Sequence, residues 1–122
     1  MKRETAQKKA LLNVLETIRE GIVVVEGLHD IAALAKLNVK AINFDLLPMI
    51  DKDALEEGTV YLMMDDDKGG HSKEEKAIKI ILSINPNTRL DTFERDRLIS
   101  ILSITSIEEA YDKAIKIIRR DY

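Results

Sequence analysis

Three acids stand at the ends of apolar runs. Glu26 follows Ile22-Val23-Val24-Val25, and Asp65 and Asp67 follow Val60-Tyr61-Leu62-Met63-Met64. Gathered in one place, such carboxylates repel: two unit charges ~4 Å apart near a protein surface cost roughly 4 kcal/mol. A hard divalent cation offsets this, and Mg²⁺ favours carboxylate oxygens with several waters retained. The chain has no Cys and only two His, which argues against a zinc site. Glu26, Asp65 and Asp67 are therefore the candidate metal-holding residues, with Mg²⁺ as cofactor and Mn²⁺ as its substitute. Asp65 and Asp67 are two apart, so an extended backbone points them the same way, and Asp66 the other. Gly69 and Gly70 would keep bulk away and let a phosphate approach the backbone.

Each signal also has a plainer reading. An acid after a strand is often a solvated loop residue, and a run of aspartates is commonly a turn or cap. His29 and His71 read as exposed loop residues, and Met63-Met64 as core.

Both apolar runs lack polar alternation, as expected of strands buried on both faces of a parallel sheet. Thr5 to Glu20 reads as a helix, with Leu11, Val14, Leu15 and Ile18 at helical spacing. Its start carries Lys2, Arg3, Lys8 and Lys9, either a solvated helix end or a phosphate-contacting arm. Gly21 would end it in a left-handed conformation. A second helix begins near His29 and Asp30, an acid that suits the positive end of a helix dipole, and stops at Asn38. Val39 to Phe44 is a short strand. Leu46 to Leu55, with Pro48 and Asp51, reads as a loop turning into a short helix.

After the aspartates, Gly69-Gly70 reads as a flexible loop. Ser72 and Glu75 have the spacing of a capping box before a helix from Lys73 to Ser83. Asn85-Pro86-Asn87 is a turn. Thr88 to Phe93 is a more polar strand, expected at an edge. Asp96 to Leu102 is a short helix. Ser106 and Glu109 form a second capping box for a last helix bearing Ile107, Ala110, Tyr111, Ala114, Ile115 and Ile118.

Strands alternating with helices make a parallel sheet covered on both faces. The expected fold is α/β: one domain over residues 1–122, with about four mainly parallel strands. Within it lie the N-terminal helix, a motif-bearing core from Gly21 to Arg95, and C-terminal helices from Asp96 to Arg120. In such sheets ligands bind beyond the carboxyl ends of the strands, where strand order reverses. If the first and third strands are neighbours there, Glu26 and Asp65 share that edge.

The 19 Lys+Arg against 22 Asp+Glu give a net charge of −3, too acidic to coat nucleic acid by bulk charge. A local basic patch or a bridging metal would be needed. No apolar run approaches the ~20 residues of a membrane span. The start lacks the apolar core of a signal peptide. With no cysteines, the expectation is a cytoplasmic protein without a membrane partner.

The stretch Ile22-Val23-Val24-Val25-Glu26-Gly27-Leu28-His29-Asp30 resembles the first motif of the Toprim domain, an apolar strand followed by Glu-Gly-x-x-Asp. Asp65-Asp66-Asp67-Lys68-Gly69-Gly70 resembles the second, Asp-x-Asp-x-x-Gly. The chain is similar to the small stand-alone Toprim proteins of archaea and bacteria. The resemblance implies that Glu26 acts as general acid or base and also touches metal, that Asp65 and Asp67 hold Mg²⁺, and that Gly27, Asp30, Asp66 and Gly70 support them. It implies magnesium-dependent phosphoryl transfer or phosphodiester cleavage on nucleic acid, with RNA processing as one setting. A protein partner could supply substrate binding.

Tyr61 lies in a strand, Tyr111 on a helix stripe and Tyr122 at the chain end, with no separate domain carrying a nucleophilic tyrosine. That separates the chain from topoisomerases. The absence of zinc-binding and helicase-contacting modules separates it from complete primases. The alternative is a non-catalytic module that binds metal, nucleic acid or protein. A phosphoacceptor receiver fits less well: it needs an acidic pair after the first strand and a lysine after a later one.

Overall fold

The computed structural model describes residues 5–119. Helix α1, Ala6–Arg19, starts at Thr5, whose hydroxyl accepts the Lys8 N–H at 3.0 Å. Strand β1, Ile22–Val25, leads to helix α2, Leu28–Ala35, and strand β2, Ala41–Asn43. Two 3-10 turns, Phe44–Met49 and Asp53–Glu56, precede strand β3, Thr59–Leu62. Helix α3, Lys68–Ile84, strand β4, Arg89–Asp91, and helix α4, Phe93–Leu102, follow. A 3-10 turn, Ile107–Glu109, runs into helix α5, Ala110–Arg119.

All strand pairs are parallel, in the order β2-β1-β3-β4. Strand β4 is an edge, as its polar composition predicts. The fold is α/β, with one four-stranded parallel sheet. Successive residues of the central strands serve different cores. Val23, Val25 and Met63 pack with Leu11, Leu15 and Ile18 of α1, Leu34 of α2, Leu98 of α4 and Ala114 of α5. Val24, Val60, Leu62 and Met64 pack with Ala77 and Ile81 of α3 and with Leu47 and Leu55 from the 3-10 turns. Both faces of β1 and β3 are therefore buried, which is why their sequences do not alternate. No helix among the described residues is long and apolar enough to cross a membrane.

Several boundaries differ from the sequence reading, each for a local reason. Gly21 is not left-handed; among the described residues no glycine has positive φ. A Cβ there would overlap the Thr59 carbonyl and the Tyr61 ring, so close packing excludes a side chain. Asn38 does take a left-handed φ of 64°, after α2. Helix α3 begins at Lys68 rather than Lys73, because Asp67 caps it by accepting the Gly70 N–H at 2.6 Å. Gly69 and Gly70 are thus its first turn, not a flexible loop, and Ser72 and Glu75 lie within it rather than forming a capping box. Helix α4 starts at Phe93, three residues before the expected Asp96, as Asp91 Oδ1 accepts the Glu94 N–H at 3.0 Å. Ser106 makes no side-chain cap; its segment opens as a 3-10 turn.

Candidate functional site

Strand order reverses between β1 and β3, and their carboxyl ends deliver Glu26 and Asp65 side by side. The Asp65 N–H donates to Glu26 Oε2 at 2.9 Å. Asp65 Oδ1 accepts the Ile107 N–H at 2.8 Å, so the turn before α5 orients this carboxyl. Gly70 packs against the Asp65 backbone: a Cβ there would overlap the Asp65 carbonyl, so α3 can approach only without a side chain.

Asp30 is buried beside the pair, and its Oδ2 accepts the Gly27 N–H at 3.2 Å. A cavity of about 210 Å³ opens here, lined among others by Glu26, Gly27, Asp30, Asp65, Ser106 and Glu108. Gly27 is extended, and a Cβ on it would meet nothing within 4 Å. Neither its backbone conformation nor its packing demands a glycine.

Burial pushes the Asp65 carboxyl up to about 7; the Ile107 N–H opposes this, and the carboxyls of Glu26 and Asp30 reinforce it. Asp30 is raised as well, first by burial, against the pull of the Gly27 N–H, with Glu26 and Glu108 adding to the rise. Burial first, and then the neighbouring carboxyls, disfavour ionisation of Asp65 and Asp30.

Asp67 is placed differently. Its Oδ1 is used by the α3 cap, which leaves Oδ2 for a ligand. Among the described residues, no three His, Asp or Glu side chains are grouped to hold a metal ion. The structure thus brings Glu26 and Asp65 together and commits Asp67 to the helix start. Asp66 turns to solvent: its carboxylate meets His71 Nε2 at 3.1 Å, and its N–H donates to the Thr105 carbonyl at 2.7 Å. His29 and His71 are both exposed.

Two contributors are absent from the motif reading. Lys73 on α3 places its ammonium 3.5 Å from Glu26 Oε1. Its signal was weak, since one lysine among many on a helix marks nothing. Ile107 acts through its backbone, for which residue type carries no signal. Behind the site, the buried Arg95 donates to the Met64 carbonyl at 3.4 Å and to Asp96 at 2.7 Å. Its Nη1 also stands 3.1 Å from Glu74 Oε1, an ion pair without hydrogen-bond alignment that leaves this buried oxygen without a donor. Of the basic start, Lys2 and Arg3 lie outside the described residues, Lys8 is buried and Lys9 is exposed. Tyr122 also lies outside the described residues.

No protein-family model matches the chain. No curated protein matches it either. A solved structure of an uncharacterised protein from Aquifex aeolicus is similar, with a TM-score of 0.65 at 24% identity over 83% of this chain and 94% of that one. At that identity the likeness bears on the fold alone.

Proposed function

We propose that this chain is a small Toprim domain that uses Mg²⁺ for phosphoryl transfer or phosphodiester cleavage on nucleic acid. One observation carries the reading: Glu26 and Asp65 are joined across the β1–β3 junction, with the Asp65 carboxyl raised to about 7. Half-buried acids held together in this way favour a counter-charge. The donor set fits Mg²⁺, which commonly takes one or two protein carboxylates and completes its shell with water and substrate phosphate. Glu26 and Asp65 would hold it; the resemblance adds Asp67 through Oδ2, at an outer position, since the three are not grouped in the structure. Bound there, it would neutralise a phosphodiester and stabilise charge on the attacked or leaving oxygen.

The chain's own residues supply the rest. The resemblance gives proton transfer to Glu26. The Asp65 carboxyl, raised to about 7 in the empty site, would give up its proton as it takes the cation, which leaves proton transfer to Glu26. Ile107 and Gly70 fix Asp65, and Gly27 leaves open space over which a phosphate can settle. The acidic surface would leave substrate grip to the metal and to a protein partner.

A labelled RNA and DNA panel with Mg²⁺ or Mn²⁺ tests this. The reading expects product that disappears in Glu26→Gln. Binding without product would replace it with the non-catalytic module.

A further inference from the structure

The two oxygens of Glu26 have different partners. Oε2 is fixed by the Asp65 N–H at 2.9 Å. Oε1, the one left for a ligand, faces the Lys73 ammonium at 3.5 Å. The side chain of Glu26 is 14% exposed and that of Lys73 is 44% exposed, so the cation reaches in from solvent to an enclosed acid. A lysine ammonium on a flexible stem in such a half-open pair is weakly held and can swing away. Of the other bases, His71 pairs with Asp66 and Arg95 with Glu74 and Asp96, while His29 lines the cavity and acts on Asp30.

We infer that Lys73 is a displaceable counter-ion. It neutralises Oε1 of Glu26 until a divalent cation takes that oxygen, and it then turns to the phosphate that the cation brings. This rests on the reading of Glu26 and Asp65 as a cation site. An ammonium and a divalent cation repel each other across one carboxylate oxygen, so the two compete. Once displaced, the ammonium remains tethered to α3 beside the site, where a non-bridging phosphate oxygen offers it a new partner. Lys73 therefore opposes the cation when phosphate is absent and favours phosphate when the cation is present. The two ligands would thus bind with positive and reciprocal coupling.

The test uses the full chain as wild type, Lys73→Met and Glu26→Gln. Mn²⁺ is titrated by calorimetry, and a short phosphorothioate oligonucleotide is then titrated in saturating Mn²⁺. Met is a good helix former at this partly exposed position, so folding should persist; circular dichroism checks it, and Lys73→Gln serves as a second variant. Without oligonucleotide, Lys73→Met should bind Mn²⁺ about fivefold more tightly than wild type, the size of a partly exposed ion pair. Its oligonucleotide affinity should fall about tenfold, as for loss of one charge-assisted contact. Equal or weaker Mn²⁺ binding by Lys73→Met, with wild-type binding still sensitive to Glu26→Gln, would overturn the role of Lys73 alone. If neither wild type nor Lys73→Met binds Mn²⁺, the cation site falls and the counter-ion role with it.

Discussion

The backbone N–H of Asp65 donates to Glu26 Oε2 across 2.9 Å, so one candidate ligand holds the other by its main chain. A carboxylate that already serves the neighbouring strand is placed before any ligand arrives, and little ordering is left for binding to supply.

Divalent metal should therefore stabilise the fold. At ~100 times its dissociation constant a ligand adds about 2.7 kcal/mol, or roughly 10 °C in Tm for a domain of this size. Melting with and without Mg²⁺ should show the rise in wild type and its loss in Asp65→Asn and Glu26→Gln. Asp67→Asn should keep the cap while weakening the shift. Asp67→Ala should in addition lower metal-free stability by about 1 kcal/mol.

The metal-free protein should lose stability as pH rises. The Asp65 carboxyl goes from an ordinary 3.8 to about 7 on folding, so the folded state holds a proton that the unfolded state has released. Between those limits the unfolded chain binds fewer protons, and stability falls with pH. Asp30 shifts the same way. Allowing for solvent screening, the loss from pH 4 to pH 8 is on the order of 1–2 kcal/mol. Denaturant titrations across that range should show the decline in wild type and a flatter curve in Asp65→Asn.

Glycine replacements should separate packing from function. Gly70→Ala forces a methyl into the Asp65 backbone and should cost about 3 kcal/mol or more, with loss of metal binding. Gly27→Ala meets open space and should change stability by less than about 1 kcal/mol. If the gap at Gly27 receives phosphate, Gly27→Ala will weaken oligonucleotide binding without a matching change in Tm.

Arg95 should prove structural. It is buried and holds the Met64 carbonyl, Glu74 and Asp96 just behind Asp65. Arg95→Ala strands the Glu74 carboxylate and should cost about 3 kcal/mol in chemical denaturation. Arg95→Ala with Glu74→Gln should recover part of it.

The central strands were open to sequence reasoning because an apolar run without polar alternation has few homes other than a parallel sheet interior, whereas the adjacency of the first and third strands was only a condition that the sheet order meets. Glu26 and Asp65 were legible for the same reason: each is the first acid beyond such a run. The start of α3 was hidden, since propensity puts Gly69-Gly70 in a loop. Only the approach of α3 to the Asp65 backbone makes glycine the residue that fits there. Asp67 illustrates the same limit: the spacing pairs it with Asp65, but the helix that begins one residue later claims its carboxylate first. Ile107 lies far along the chain and acts through a main-chain donor, which every residue but proline has.

Val23, Val24 and Val25 meet apolar surface on either side of the sheet. Sliding β1 by one position would therefore swap one interior for the other at small hydrophobic cost, and hydrophobicity alone cannot prevent it. The barriers to that slide stand at the two ends of the strand: Gly21, wedged against Thr59 and Tyr61, and Glu26, clasping the Asp65 amide. The acid offered to a ligand thus also helps keep the sheet in phase, and replacing it by a side chain that cannot accept the Asp65 N–H would disturb how the chain assembles as well as what it binds.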